Sequence, residues 1–263
     1  MNRTPSWVLP AVVIGAIALV LLFLLMRPAG EPEPVVEAPP PAPAEPEPVI
    51  ENPVPPPPPL EEPEPLPPLE QSDELVAQSL AEVTGEAPVE AFLVPGDVVR
   101  KTVATVDNLD AKKLFPRIRA VQPAEGDFIA TREDDRIVLS EANFERYDRI
   151  VGALDATSAE QLAAVYFRYY PLFQQAYVEL GYPSAYFNDR LVEVIDHLLA
   201  TPDVEGPIEL RQPSVYYTFA DPELEGLSSG QKLLLRMGPE HRARIKQKLR
   251  EFRAQIAGRS PAT

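Results

Sequence analysis

The 263-residue chain contains no cysteine. That excludes a disulfide scaffold, a thiol nucleophile and any thiolate metal site. Histidine occurs only twice, at His197 and His241. The two fall on different predicted helices, with no second ligand at metal-binding spacing. No G-x-S-x-G, H-E-x-x-H, Walker A or Rossmann pattern is present. No catalytic residue, metal or cofactor is therefore assigned, and the chain reads more readily as a binding protein than as an enzyme. Basic residues are outnumbered 24 to 40, for a formal charge of −16. A nucleic-acid coat needs the opposite excess.

What the sequence has in abundance is unevenly placed. Trp7 to Met26 is twenty residues without a charge. At 1.5 Å per residue it spans about 30 Å, the thickness of a bilayer core. Arg27 ends the run. A cleaved signal peptide fits less well, because the apolar stretch exceeds an h-region and Arg27-Pro28-Ala29-Gly30 is a poor cleavage site. Arg3 and the amino group precede the span, so positive-inside bias places residues after 27 across the membrane. The expected arrangement is a short tail (1–6), a single-pass anchor (7–26), a linker (27–71), a globular domain (72–258) and a C-terminal tail (259–263).

The linker holds much of the unusual composition. Residues 31–70 contain 18 of the 33 Pro and 10 Glu, with no Lys or Arg. Such a stretch has little to bury and favours extended polyproline II. It reads as a disordered spacer. PxxP-like spacing also permits a ligand for a proline-binding module, but this composition produces such matches by itself. The linker carries −10 of the −16, whereas residues 100–263 hold 22 basic and 24 acidic residues.

The remainder predicts one mainly α domain with one or two small β-hairpins. Ser72 is a candidate cap for a first helix closed by Gly85, and Pro95-Gly96-Asp97 opens a second. Segments 128–131 and 136–139 flank Glu133-Asp134-Asp135 as a hairpin, and Ile208–Leu210 and Val215–Phe219 are short strands. Ser140 is expected to cap a helix through about Leu154. Ser158-Ala159-Glu160-Gln161 and Ser228-Ser229-Gly230-Gln231 are capping boxes. Pro171 is expected to kink or split the long helix after Ser158.

Three groups of residues are candidates for function. Twelve of twenty aromatics lie in 166–219. Tyr166, Tyr169, Tyr170, Phe173 and Tyr177 share one helical face. Core is the simpler reading. Eight Tyr hydroxyls, however, each require a partner, and a recognition groove would supply one. Tyr169, Tyr170, Tyr177, Tyr182 and Tyr186 are thus candidate binding residues. Asp189, Glu193 and Asp196 share helical faces, close to Arg190 and His197. Paired acids suit acid/base work on a glycan, although any charged helix supplies such pairs. On the last helix, Ile245, Leu249, Phe252 and Ile256 form an apolar stripe. Arg242, Lys246, Arg250 and Arg253 lie opposite as a candidate basic surface, suited to a lipid headgroup layer, an acidic partner or the chain's own acidic tether, although an ordinary docked helix is the simpler reading.

Several segments carry a family resemblance. They are Tyr169-Tyr170-Pro171-Leu172-Phe173-Gln174-Gln175-Ala176-Tyr177, Phe187-Asn188-Asp189-Arg190, Asp196-His197-Leu198-Leu199 and Gly230-Gln231-Lys232-Leu233-Leu234-Leu235-Arg236-Met237-Gly238. They resemble an uncharacterised family of Gram-negative bacteria, domain-of-unknown-function family three-zero-one-four. The resemblance covers about residues 72–255. It implies an inner-membrane anchor and a periplasmic helical domain, and it carries no activity. It directs the search for a site to Asn188, Asp189, Arg190 and His197. The plan of anchor, spacer and terminal domain also resembles the energy-transducing TonB proteins, but architecture alone transfers no function.

The expectation is an inner-membrane-anchored periplasmic binding or scaffold protein of the cell envelope. Its partner would be an envelope protein or peptidoglycan, and oligomeric state is left open. The alternatives are a periplasmic cell-wall hydrolase or transglycosylase, and a scaffold facing the cytoplasm.

Overall fold

The computed structural model describes residues 50–54 and 65–257. The expected anchor at 7–26, most of the expected linker and both expected tails lie outside these residues. Among the described residues no helix is long and apolar enough to cross a membrane.

The domain is mainly helical with one small sheet. The helices are α1 (Asp73–Thr84), α2 (Glu86–Phe92), α3 (Val98–Asp107), α4 (Asp148–Ala156), α5 (Ala159–Leu180), α6 (Phe187–Leu199), the single turn α7 (Pro222–Glu225), α8 (Ser229–Arg236) and α9 (Gly238–Ile256). The strands are β1 (Ala130–Glu133), β2 (Arg136–Leu139), β3 (Glu209–Arg211) and β4 (Thr218–Phe219). They form one antiparallel sheet in the order β1-β2-β3-β4. The two expected hairpins are thus halves of a single meander. Ile137 pairs with Leu210, and Leu210 with Phe219. Leu139, Leu210 and Phe219 then bury one face of the sheet against Leu235.

Local signals set several boundaries. Both capping boxes form: Ser158 and Gln161 exchange side-chain and backbone bonds at α5, and Ser228 and Gln231 do so at α8. Ser72 behaves differently from expectation. It sits at the N-cap of α1, but its hydroxyl donates back to Leu69 O at 2.8 Å. Leu69 is itself in the core, and Leu66 packs against it, so ordered structure begins before residue 72. The Asp73 carboxylate instead caps the neighbouring helix α3, accepting from Asp97 N and Val98 N, each at 2.7 Å. A negative charge there meets the positive end of the helix dipole.

Two expected helices are altered by tertiary contacts. Ser140 caps only a 3-10 turn, Glu141–Asn143, and regular helix begins at Asp148. The side chain of fully buried Asn143 bonds both the N–H and the C=O of Ile129. It completes the backbone pairing just ahead of β1 and holds the chain in a turn. Helix α5 is not split at Pro171 and runs unbroken from Ala159 to Leu180. An interior proline costs about 3 kcal/mol or more. Burial of Tyr166, Tyr169 and Tyr170 before it, and of Leu172, Ala176 and Tyr177 after it, holds both halves on one core.

Helix α9 packs against α4, α5, α6 and α8. It enters through Gly238, whose φ of +85° is costly for other residues. A Cβ there would meet the Phe144 ring at 2.6 Å. Gly238→Ala is predicted to destabilise the fold by about 1–3 kcal/mol, from backbone strain and overpacking together. Thermal melting of the variant checks this; an unchanged midpoint would remove the assigned role.

Candidate peptide cradle

The aromatic helix α5 sits in the core. Tyr169 is 0 % exposed, and Tyr166, Tyr170 and Tyr177 are also buried. Each buried hydroxyl whose bond is seen has an internal partner. Tyr169 meets Ser79 Oγ at 2.7 Å, Tyr166 donates to Asn188 Oδ1 at 2.9 Å, and Tyr170 donates to Gln174 Oε1 at 2.9 Å. Burial pushes the Tyr166 and Tyr170 hydroxyls far above the usual phenol range, helped by neighbouring Tyr186. Burial and then the nearby Asp107 carboxylate push Tyr177 up to about 12. Tyr182 and Tyr216 lie outside the core, at 40 % and 77 % exposure, and Tyr186 is half-buried. The candidate tyrosines are thus divided between a sealed helix and its rim.

The hydroxyl partners build the surface above them. Gln174 also accepts from Phe187 N at 2.8 Å and donates to Ala185 O at 2.9 Å. These bonds fix the loop that leads into α6. Asn188 has 0 % exposure and a full set of bonds. Its Oδ1 takes the Tyr166 hydroxyl, and its Nδ2 donates to Ile256 O at the end of α9 and to Asn52 O, both at 2.9 Å. One amide therefore ties the α5 core, the last turn of α9 and the linker together.

Residues 50–54 lie in this cradle. Asp189 Oδ2 accepts from Glu51 N at 3.2 Å, and Oδ1 accepts from Asn52 N at 2.6 Å and Asn52 Nδ2 at 3.0 Å. Tyr186 OH accepts from Val54 N at 3.2 Å. Val54 packs against the helical core. Three side chains within four residues, Tyr186, Asn188 and Asp189, thus grip four main-chain groups of a short peptide. Charge-assisted bonds to a carboxylate are the stronger members of such a set.

The other candidates are committed elsewhere. Arg190 joins Asp107 Oδ1 at 2.9 Å, Asp110 Oδ2 at 2.8 Å and Glu193 Oε2 at 2.9 Å. It locks α6 to the end of α3. Asp196 takes two bonds from Arg253, at 2.6 and 2.8 Å. His197 Nε2 is buried and makes no hydrogen bond among the described residues. A nitrogen sealed from solvent is poorly placed to exchange protons with a substrate. His241 Nε2 lies 2.8 Å from Asp148 Oδ1. Among the described residues no three His, Asp or Glu side chains converge as metal ligands.

The basic surface on α9 requires correction. Arg242 and Lys246 are buried, at 3 % and 7 % exposure. Arg242 Nε bonds Asp203 Oδ1 at 3.1 Å, and Lys246 Nζ bonds Thr201 O at 2.5 Å. The loop after α6 covers this face and supplies both acceptors. The positive charge of Lys246 in turn holds the Asp203 carboxyl below the usual range. Arg250 is exposed, and Arg253 is half-buried on Asp196. A depression of about 500 Å³ opens beside Arg242, between the sheet residues Leu139 and Thr131 and the turn at Phe144. The Arg242 charge is already spent on Asp203.

Glu51, Asn52, Val54 and Gln174 were not among the residues singled out from sequence. Asn52 is the one side-chain amide in residues 27–70, a faint mark in a Pro/Glu tract.

Residues 98–253 match the family described as protein of unknown function (DUF3014). The chain belongs to this family. The match confirms the resemblance read from the α5, α6 and α8 segments. It includes the cradle side chains Tyr186, Asn188 and Asp189 and leaves out the docked residues 50–54. No curated protein and no solved structure matches the chain.

The buried phenols give a pH prediction. Folding favours their neutral form, so this contribution to stability is complete below the unfolded value of 10.0 and is lost as pH rises toward and beyond about 12. Tyrosinate absorbance from Tyr166, Tyr170 and Tyr177 should appear together with loss of helical circular dichroism. Complete tyrosinate formation in a still-helical protein would contradict their burial.

Proposed function

We propose that this DUF3014 chain is a single-pass inner-membrane protein whose C-terminal domain stands in the periplasm as a binding and scaffold module of the cell envelope. The apolar run Trp7–Met26 and the single early Arg3 support the anchor and its orientation. The observation that carries the binding role is the cradle. Polar side chains at the start of α6, braced by the core beneath them, hold peptide main chain, which is recognition chemistry.

The hydrolytic alternative finds less support. Glycoside cleavage needs one carboxylic acid kept protonated and a second carboxylate ~5–10 Å away across an open cleft. Here Glu193 and Asp196 are each paired with an arginine, and Asp189 is filled by backbone N–H groups.

Tethering to the membrane concentrates the domain near envelope partners without additional contacts. A photo-crosslinker in place of exposed Ser184, beside Tyr186, is expected to capture a discrete envelope protein or peptidoglycan fragment in living cells. A reporter fused at residue 263 is expected to be active only in the periplasm. Cleavage of cell-wall material by the purified chain, with no crosslinked partner, would replace the binding role by an enzymatic one. A reporter active only in the cytoplasm would reverse the orientation.

A further inference from the structure

The cradle is filled by the chain's own linker, and the manner of filling is informative. The hold on residues 50–54 is almost entirely polar and main-chain directed. Glu51 and Pro53 are exposed, Asn52 and Val54 are half-buried, and Ile50 is 49 % exposed. The receptor side is the opposite. Asn188 is fully buried and braced by Tyr166 and by Ile256 O, and the α6 entry is braced by Gln174. A rigid, braced receptor therefore holds a shallow ligand. Little apolar surface keeps the segment in place, and only ten residues, 55–64, separate it from residue 65. A short connection gives an internal ligand a high effective concentration, so even a weak segment stays bound.

We propose that the Tyr186–Asn188–Asp189 cradle is a peptide-binding site for extended Asn-Pro-aliphatic segments, that Glu51–Val54 is its resident internal competitor, and that an outside peptide filling the cradle frees the linker. This deepens the binding role assigned above and rests on it. The chemistry of the site selects the ligand class. Asp189 needs two successive N–H groups and an amide side chain at the second residue. Asn188 needs the C=O of that second residue. Tyr186 accepts an N–H two residues further on. The intervening position makes no donor contact with the cradle, which suits Pro53, a residue without an N–H. The last position places an aliphatic side chain on the helical core, as Val54 does.

Binding and reach are then coupled. With residues 50–54 held, the linker available between anchor and domain ends at residue 49. With them released, it runs to residue 65. Sixteen further residues at ~3.1 Å each add about 50 Å of contour. By linkage, whatever the outside peptide gains by displacing the segment appears as release of the linker, and a pulled linker makes the cradle easier to fill.

The test uses the full chain in detergent and a fluorescent nine-residue peptide of the chain's own residues 48–56. Three forms are compared: wild type, a chain with residues 50–54 replaced by Gly-Ser repeats, and that chain carrying Asp189→Ala. The peptide is expected to bind the Gly-Ser form about tenfold or more tighter than wild type, because the internal competitor is gone. Asp189→Ala is expected to weaken that binding about tenfold or more, as loss of charge-assisted bonds does. Tyr186→Phe, which keeps the ring packed on Tyr170 and removes only the hydroxyl, provides a second variant should Asp189→Ala unfold. Its expected loss is smaller, about threefold to tenfold. Because the chain has no cysteine, single cysteines at exposed Ile50 and Ser184 can carry a spin-label pair. Excess peptide should convert a short distance in wild type into a long, broad one.

Equal peptide affinity for wild type and Gly-Ser forms would overturn the proposal, as would binding indifferent to both cradle variants. A spin-pair distance unmoved by saturating peptide would do the same. Failure here leaves the crosslinking result at Ser184 intact, since that experiment reads any envelope partner and not this peptide class. Failure of the crosslinking experiment would leave peptide binding to the emptied cradle unaffected.

Discussion

The hydroxyls of Tyr166, Tyr169 and Tyr170 lie inside the helical layer, and each has to be met by a hydrogen-bonding atom. Leaving a buried phenol unpaired costs about 1–3 kcal/mol. The partners that meet this need are Asn188, Ser79 and Gln174. Each then organises something beyond the core. Ser79 ties α1 to α5. Gln174 holds the loop before α6 through Phe187 N and Ala185 O. Asn188 spends its remaining donors on Ile256 and Asn52. The surface cradle is thus the outer side of a network whose inner side satisfies the core. Tyr186 and Asp189 are aimed because their neighbours cannot move without stranding a phenol.

A second constraint comes from α9. Its sequence is strongly basic, yet it packs on four other helices. Long cationic side chains bury their stems only if their heads find acceptors. The loop Thr201–Asp203 provides a carbonyl for Lys246 and a carboxylate for Arg242. Lys248 reaches Thr157 O at 2.8 Å, at the junction of α4 and α5. The helix therefore functions as an internal strut whose charges staple loops at several points of the domain. Its near balance of charge with the surrounding acids explains why residues 100–263 are close to neutral.

Much of the domain was legible because the signals are local. Ser158–Gln161 and Ser228–Gln231 form their capping boxes in place, since such a box needs only four residues. The β1–β2 turn at Asp134-Asp135 and the closure of α5 at Gly181 are equally local. Misreadings arose where other groups compete for the same side chain or cover it. Ser72 gave up its capping role to Leu69 O, and Asp73 took over a cap on another helix. Asn143 held a turn where helix was expected. Pro171 was tolerated because the aromatic face on both sides of it is buried. Period and composition carry no information about such partners: Ile129 lies 14 residues from Asn143, and Asp97 lies 24 from Asp73.

The sequence by itself determined the plan: a charged, proline-rich approach, a nearly neutral helical domain, membership of the DUF3014 family and the absence of thiol chemistry. These follow from composition, periodicity and short motifs, each readable within a few residues. Only the tertiary structure decided that most of the tyrosine face is core, that Arg242 and Lys246 are buried, and that Asp189 faces the linker. Whether a polar side chain is buried or exposed depends on what packs over it. Here the deciding elements are the Thr201–Asp203 loop over α9 and residues 50–54 over the start of α6, neither of which shares a local pattern with the residues it covers.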